Sequence, residues 1–169
     1  MEKQTAIIYW LIPAAKYREL FIELIRILAR QFDAPQFEPH LTLCRANDEQ
    51  AVAKTLRQIK GEPFRLRVRQ ISYSSKFTKT LFVRFSSNAS LDRFVLKLGG
   101  KSRSPRDPHI SLLYKRLPTG TKKQVAATIR LPFREVLFDG VKAVQCPVPT
   151  ETRVDVKRWR VVAIKRLSG

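Results

Sequence analysis

Cysteine, histidine and acidic residues are all scarce in this chain, and each shortage removes a class of function. Two cysteines in 169 residues, Cys44 and Cys146, cannot build the disulfide framework of a small secreted scaffold. A reduced interior is the default, with a single bridge between them left open. Two histidines, neither with a carboxylate partner at ligand spacing, make no metal cluster. Neither a metal nor a cofactor is expected. Long apolar runs are missing too: no stretch approaches the ~20 residues of a membrane span, so no membrane partner is expected. Residues 6–15 could pass for a short secretion signal, but Glu2 cancels the charge of Lys3 ahead of them. Without a net-positive start they read better as a first strand, and the protein as cytoplasmic. No motif of a known RNA-binding module is present.

What the chain has in excess is positive charge. Lysine and arginine number 33 against 14 acidic residues, a net charge of +19. A surface that cationic attracts polyanions through its long-range field; the bland alternative is charge serving solubility alone. Arg65, Arg67 and Arg69 alternate with Leu66 and Val68, which reads as a solvated strand face. Lys76 and Lys79 flank Phe77 in a polar loop, where Tyr73 or Phe77 could offer a stacking surface. Arg103 and Arg106 stand just ahead of His109, and residues 101–106 are the stretch best placed to touch RNA backbone.

The two histidines sit in matching frames, Pro39-His40-Leu41-Thr42-Leu43 and Pro108-His109-Ile110-Ser111-Leu112. Histidine has the unperturbed pKa closest to neutrality, so two of them supply one acid and one base at the same pH. Side chains at i and i+2 of a strand leave by the same face. Each frame therefore presents an imidazole beside a hydroxyl, with apolar residues on the opposite face. Cys44 continues that face by strict alternation, but a small buried hydrophobe is the better reading of it.

Around these frames the chain alternates strand and helix signals. Residues 6–13 suit a buried strand, 16–32 carry a one-sided apolar stripe, and 40–45 form the first motif strand. Asp48 is placed to cap a helix over 49–60 that Gly61 would end. Residues 64–74 and 80–86 read as paired strands, 90–98 as a helix, and 118–129 as a helix opened by Pro118. Residues 136–138, 141–144 and 159–167 read as strands. Each motif strand is followed by a helix. This is a duplication of architecture without residue identity, and it implies an α+β chain. The expected fold is one bilobal domain over residues 1–169, two pseudo-twofold-related lobes with antiparallel sheets facing a central cleft.

His40-Leu41-Thr42-Leu43 and His109-Ile110-Ser111-Leu112 are the paired tetrads of the two-histidine phosphoesterase superfamily, which the chain resembles. Ile8-Tyr9-Trp10-Leu11-Ile12-Pro13 is similar to the first strand of its cyclic phosphodiesterase branch, and Tyr114 matches the tyrosine trailing the second tetrad. The tail from Val144 to Ala163 also looks like that branch's C-terminal strand pair. The resemblance implies the bilobal fold, with one histidine strand per lobe. It implies hydrolysis of 2′,3′-cyclic nucleotides or ADP-ribose 1″,2″-cyclic phosphate, while other members act on RNA ends as 2′-5′ ligases or nucleases. It also implies that Trp10 and Tyr114 border the cleft, one ring stacking on a base and one phenol reaching phosphate.

The chemistry needs such a geometry. Opening a cyclic phosphate in line requires water deprotonated on one side of phosphorus and the leaving ribose oxygen protonated on the other. His40 and His109 on facing elements provide this, each worth on the order of 10²–10⁴ in rate. Thr42 and Ser111 would donate to the nonbridging oxygens. Which histidine is base is not fixed by sequence. The expected protein is thus a metal-independent cyclic phosphodiesterase, monomeric, acting on a nucleotide or RNA-terminal cyclic phosphate. Its rivals are a 2′-5′ RNA ligase or end-processing nuclease, and a non-catalytic nucleotide- or RNA-binding module. Strict alternation puts Tyr114 on the face opposite His109, so a bulge or the strand's end has to turn it inward.

Overall fold

A computed structural model of the chain describes residues 2–100, 105 and 107–169. The basic stretch 101–106, with Arg103 and Arg106, lies outside the described residues except for Pro105.

Among the described residues, seven strands and five α-helices follow in the order β1 (Thr5–Pro13), α1 (Ala15–Phe32), β2 (Leu41–Arg45), α2 (Val52–Gln58), β3 (Phe64–Tyr73), β4 (Leu81–Phe85), α3 (Ala89–Lys97), β5 (His109–Leu113), α4 (Thr119–Thr128), β6 (Glu135–Pro147), α5 (Arg153–Lys157) and β7 (Arg160–Arg166). Local chemistry accounts for most of the ends. Asp48 accepts from the Gln50 N–H and opens a 3₁₀ turn ahead of α2, and Asn88 accepts from the Leu91 N–H to start α3. Gly99, at φ 83°, ends α3 in a conformation that a side chain would strain. A full capping box at Thr152 and Asp155 supports α5, an element the apolar pattern does not announce.

All strand pairs are antiparallel, in the order β1-β2-β5-β4-β3-β6-β7, and β1 also pairs with β6. The strands expected to form two sheets are therefore joined in a single ladder. The join between the motif strands is narrow: β2 meets β5 at Leu41 and Ile110. Residues 136–138 and 141–144, read as separate strands, are one long β6. Its first part pairs with β3 and its remainder lies between β1 and β7.

β1 is apolar throughout because both its faces are covered. Ile7, Tyr9 and Leu11 enter the main core with Phe21 and Leu28 of α1, while Trp10 and Ile12 join Val144 and Cys146 in a smaller cluster. Arg65, Arg67 and Arg69 of β3 are exposed, as their alternation implies. Among the described residues, no helix is long and apolar enough to cross a membrane.

Candidate active site

Both motif strands carry the same irregularity. Trp10 pairs with Thr42 and Tyr9 with Cys44, so Leu43 is an extra residue in β2. Phe82 pairs with Ser111 and Leu81 with Leu113, so Leu112 is the extra residue in β5. Each is a β-bulge at the fourth position of the tetrad, and a bulge breaks strict alternation. Leu112 and Leu113 both enter the main core, and Tyr114, just past the strand's end, returns to the face of Ser111. The same break at Leu43 packs Cys44 against the core, away from the cleft its spacing pointed to. Cys146 of β6 borders the cleft instead, and both thiols are free.

That face lines a cavity of about 380 Å³. Trp10, His40, Thr42, His109, Ser111 and Tyr114 all border it, so the structure brings the six candidates together. Trp10 does not stand open as a stacking platform. It is buried, lies flat on the His40 imidazole with ring centroids 3.6 Å apart, and meets Trp159 edge-on. Phe82 takes the corresponding place on the other motif, edge-on to His109 at 5.3 Å. Tyr114 is buried and stacked against Phe37 at 3.8 Å. The Ser111 hydroxyl donates to the Thr78 carbonyl at 2.6 Å, whereas Thr42 is exposed.

The imidazoles are held in the same way. His40 Nδ1 lies 2.6 Å from the Glu38 carbonyl oxygen, and His109 Nδ1 lies 2.8 Å from that of Asp107. A carbonyl only accepts, so in each neutral ring the proton sits on Nδ1 and Nε2 keeps its lone pair. The acidic side chains two residues before each histidine are clamped as well. Glu38 accepts from Lys142 at 2.6 Å and Arg18 at 3.1 Å. Asp107 accepts from Arg84 Nε at 2.7 Å and Nη2 at 3.3 Å, and also from Lys79. Each motif is thus an acidic residue, a proline and a histidine, with a carboxylate gripped by one lysine and one arginine. The sequence carries Glu38-Pro39-His40 and Asp107-Pro108-His109 in plain view. Only the fold shows which cations meet them.

Burial disfavours the imidazolium of both rings. It pushes His40 down to about 4, against the raising effect of the Glu38 carbonyl, and a charge on His109 lowers it further. Burial also lowers His109; its bond to the Asp107 carbonyl opposes this, and the nearby Lys79 adds to the depression. Burial raises the Tyr114 phenol well above its ordinary range, so the phenol stays protonated. At Asp107 burial pushes upward, but hydrogen bonds from Arg84 and Lys79 prevail and hold the carboxyl below its usual value.

Other lining residues were missed or set aside by sequence reasoning. Lys76, Thr78 and Lys79 come from the loop after β3, and Thr150 and Trp159 from the segments flanking α5. Lys76 and Lys79 were visible as a basic loop, but nothing local tied that loop to His109.

No protein-family model and no curated protein sequence matches the chain. Solved structures do. Escherichia coli LigT complexed with ATP superposes with a TM-score of 0.61 at 15% identity, covering 99% of this chain and 100% of that one. TT0787 of Thermus thermophilus gives 0.59 at 20% identity over 97% and 98% of the two chains. LigT complexed with 3′-AMP gives 0.57 at 15% identity over 98% and 99%. At such identities the likeness speaks for architecture, and this chain is built from end to end on the fold of LigT and TT0787.

Proposed function

We propose that the protein is a two-histidine phosphoesterase that opens 2′,3′-cyclic phosphates of nucleotides or RNA ends, or ADP-ribose 1″,2″-cyclic phosphate, without a metal. The observation that carries this reading is the matched pair of imidazoles on one cavity, each with Nδ1 tied to a carbonyl and Nε2 left to act. Burial makes His40 the harder of the two to charge, so a proton entering the pair resides on His109. His40 then takes the proton from the attacking water, and His109 returns one to the leaving ribose oxygen. Thr42 donates to a nonbridging oxygen. Ser111 does so by exchanging the Thr78 carbonyl for phosphate, and Tyr114 closes the wall beneath.

The cavity has room for a nucleoside as well as a phosphate. LigT has been crystallised with 3′-AMP, ATP, phosphate and NADP+, which supports nucleotide phosphates as the substrate class. The same reading takes residues 1–169 as one two-lobed unit with a motif strand in each lobe, and the repeated bulge supports a pseudo-twofold relation between them.

The test is a panel of 2′,3′-cyclic mononucleotides, ADP-ribose cyclic phosphate and cyclic-ended oligonucleotides, assayed in EDTA with wild type and His40→Ala. Turnover of the small substrates, lost in the variant, supports the proposal. Turnover or joining of oligonucleotides alone would transfer it to RNA end processing or 2′-5′ ligation. Binding without any turnover would leave a nucleotide-binding module.

A further inference from the structure

The two carboxylate clamps differ in one respect that bears on substrate binding. Around Glu38, neither Lys142 nor Arg18 borders the cavity; around Asp107, Lys79 does. Among the described residues, Lys79 and Lys76 are the cations on the cavity wall, and Lys79 is half-buried where Lys76 is exposed. The wall is cationic on the His109 side and apolar on the His40 side, where Trp10, Trp159 and Cys146 stand.

Lys79 is also held from behind. It ends the 3₁₀ turn Phe77–Lys79, its N–H donates to the Lys76 carbonyl at 3.0 Å, and its own carbonyl accepts from the Ser74 hydroxyl at 2.5 Å. The Ser74 carbonyl is tied in turn to the buried Lys122 of α4 at 2.8 Å. The ammonium lies 4.6 Å over the Phe82 ring, whose edge meets His109. An anchored backbone and a long stem over an aromatic face leave the ammonium as the part free to change partners.

We propose that Lys79 is a substrate-phosphate ligand of this cavity, kept in place by Asp107 until a phosphoryl oxygen takes the carboxylate's place. The proposal rests on reading the cavity as a phosphoester site. The exchange leaves no orphaned charge, because Arg84 still grips Asp107 through both Nε and Nη2. A bound phosphate then has its nonbridging oxygens toward Lys79 and its nucleoside toward Trp159. The cation beside His109 also makes that imidazolium a readier proton donor.

Inorganic phosphate is the probe, because its binding does not depend on turnover. Calorimetry at neutral pH and low salt should show Lys79→Ala binding phosphate roughly tenfold or more weakly than wild type, the loss of one charge-assisted bond. Lys79→Arg should stay within about threefold of wild type, since it restores the donor and charge. Lys79→Met, which keeps the stem over Phe82, should bind as poorly as the alanine variant. The chain has two histidines, so proton NMR follows both separately. In Lys79→Ala and Lys79→Met the His109 titration should move to higher pH while that of His40 stays. Unchanged phosphate affinity in Lys79→Met would overturn the proposal, as would wild type that ignores millimolar phosphate. A loss that Lys79→Arg does not restore, with both histidine titrations displaced, would also overturn it in favour of a structural role. Wild type that binds phosphate through Lys79 yet opens no cyclic phosphate would leave this inference standing and remove the proposed reaction.

Discussion

Trp10 lies flat against His40, the two rings 12° from parallel with their centroids 3.6 Å apart. Burial is the main reason that His40 resists protonation, and the indole covers one face of the imidazole in place of water. Trp10→Ala should therefore let the His40 pKa rise from about 4 towards its ordinary 6.5. The acid limb of kcat/KM, which reports the free enzyme's base, should shift to higher pH with it. Trp159 loses a neighbour as well, so unfolding free energy should drop by about 3–5 kcal/mol. A pH–rate profile and a denaturant titration check the two effects. An acid limb that stays in place would mean the indole does not control the base.

The two histidines should act as a unit. His40→Ala, His109→Ala and the double variant should lose similar activity, because one member without the other leaves the in-line transfer incomplete. Losses that multiply would indicate independent roles. The expected loss is at least the ~10²–10⁴ of one general acid or base, read from single-turnover opening of a cyclic nucleotide.

Stability should carry the mark of His40. Its folded-state pKa is depressed to about 4 from 6.5, so the unfolded chain binds its proton first as pH falls. The stabilising effect is fully present above about pH 6.5 and is lost on descent towards pH 4, amounting to ~3 kcal/mol. His109 adds in the same direction. His40→Gln should flatten the slope of unfolding free energy against pH across that window. Asp107 and Asp155, both held low in the fold, contribute losses of their own only at more acid pH.

Much of this arrangement was legible in the sequence. The tetrads, the apolar strand at residues 6–13, the stripe of α1 and the cap at Asp48 depend on neighbours along the chain, and the structure keeps them. What escaped depends on partners far away. The sequence could require a bulge to turn Tyr114 inward and favour Cys44 as a buried hydrophobe, but the positions of the bulges, at Leu43 and Leu112, appear only in register with β1 and β4. Likewise Glu38 meets Lys142 across 104 residues and Asp107 meets Lys79 across 28. No local pattern encodes those pairs. The short α5 rests on its capping box, with too few residues to show a period.

The acidic residues of the clamps should matter through the rings they hold. Glu38→Gln and Asp107→Asn keep the backbone carbonyl but weaken the grip of its side chain on lysine and arginine. A misaligned imidazole should lower kcat on the order of tenfold, about 1–2 kcal/mol of transition-state stabilisation. Glu38→Gln should leave KM nearly unchanged, since Lys142 and Arg18 stand back from the cavity. Asp107→Asn should also alter KM, because it releases Lys79. Equal KM values in the two variants would contradict the asymmetry of the clamps.

Salt should separate small substrates from RNA. Each phosphate neutralised by the protein releases counterions, with a log–log slope of roughly −0.7 per contact for single strands. A cyclic mononucleotide reaches only the cavity, where the described cations are Lys76 and Lys79, so its KM should change little between low and physiological salt. An oligonucleotide with a cyclic end extends over a surface that carries +19 overall, and its KM should climb steeply. Replacing Arg103 and Arg106 with alanine should flatten the oligonucleotide slope and spare mononucleotide turnover. The contrast follows from counting: one phosphate in the cavity allows one set of contacts, while a strand adds a contact for every phosphate that lies on a basic residue. Equal slopes for the two substrates would mean that the charge has no part in choosing the substrate.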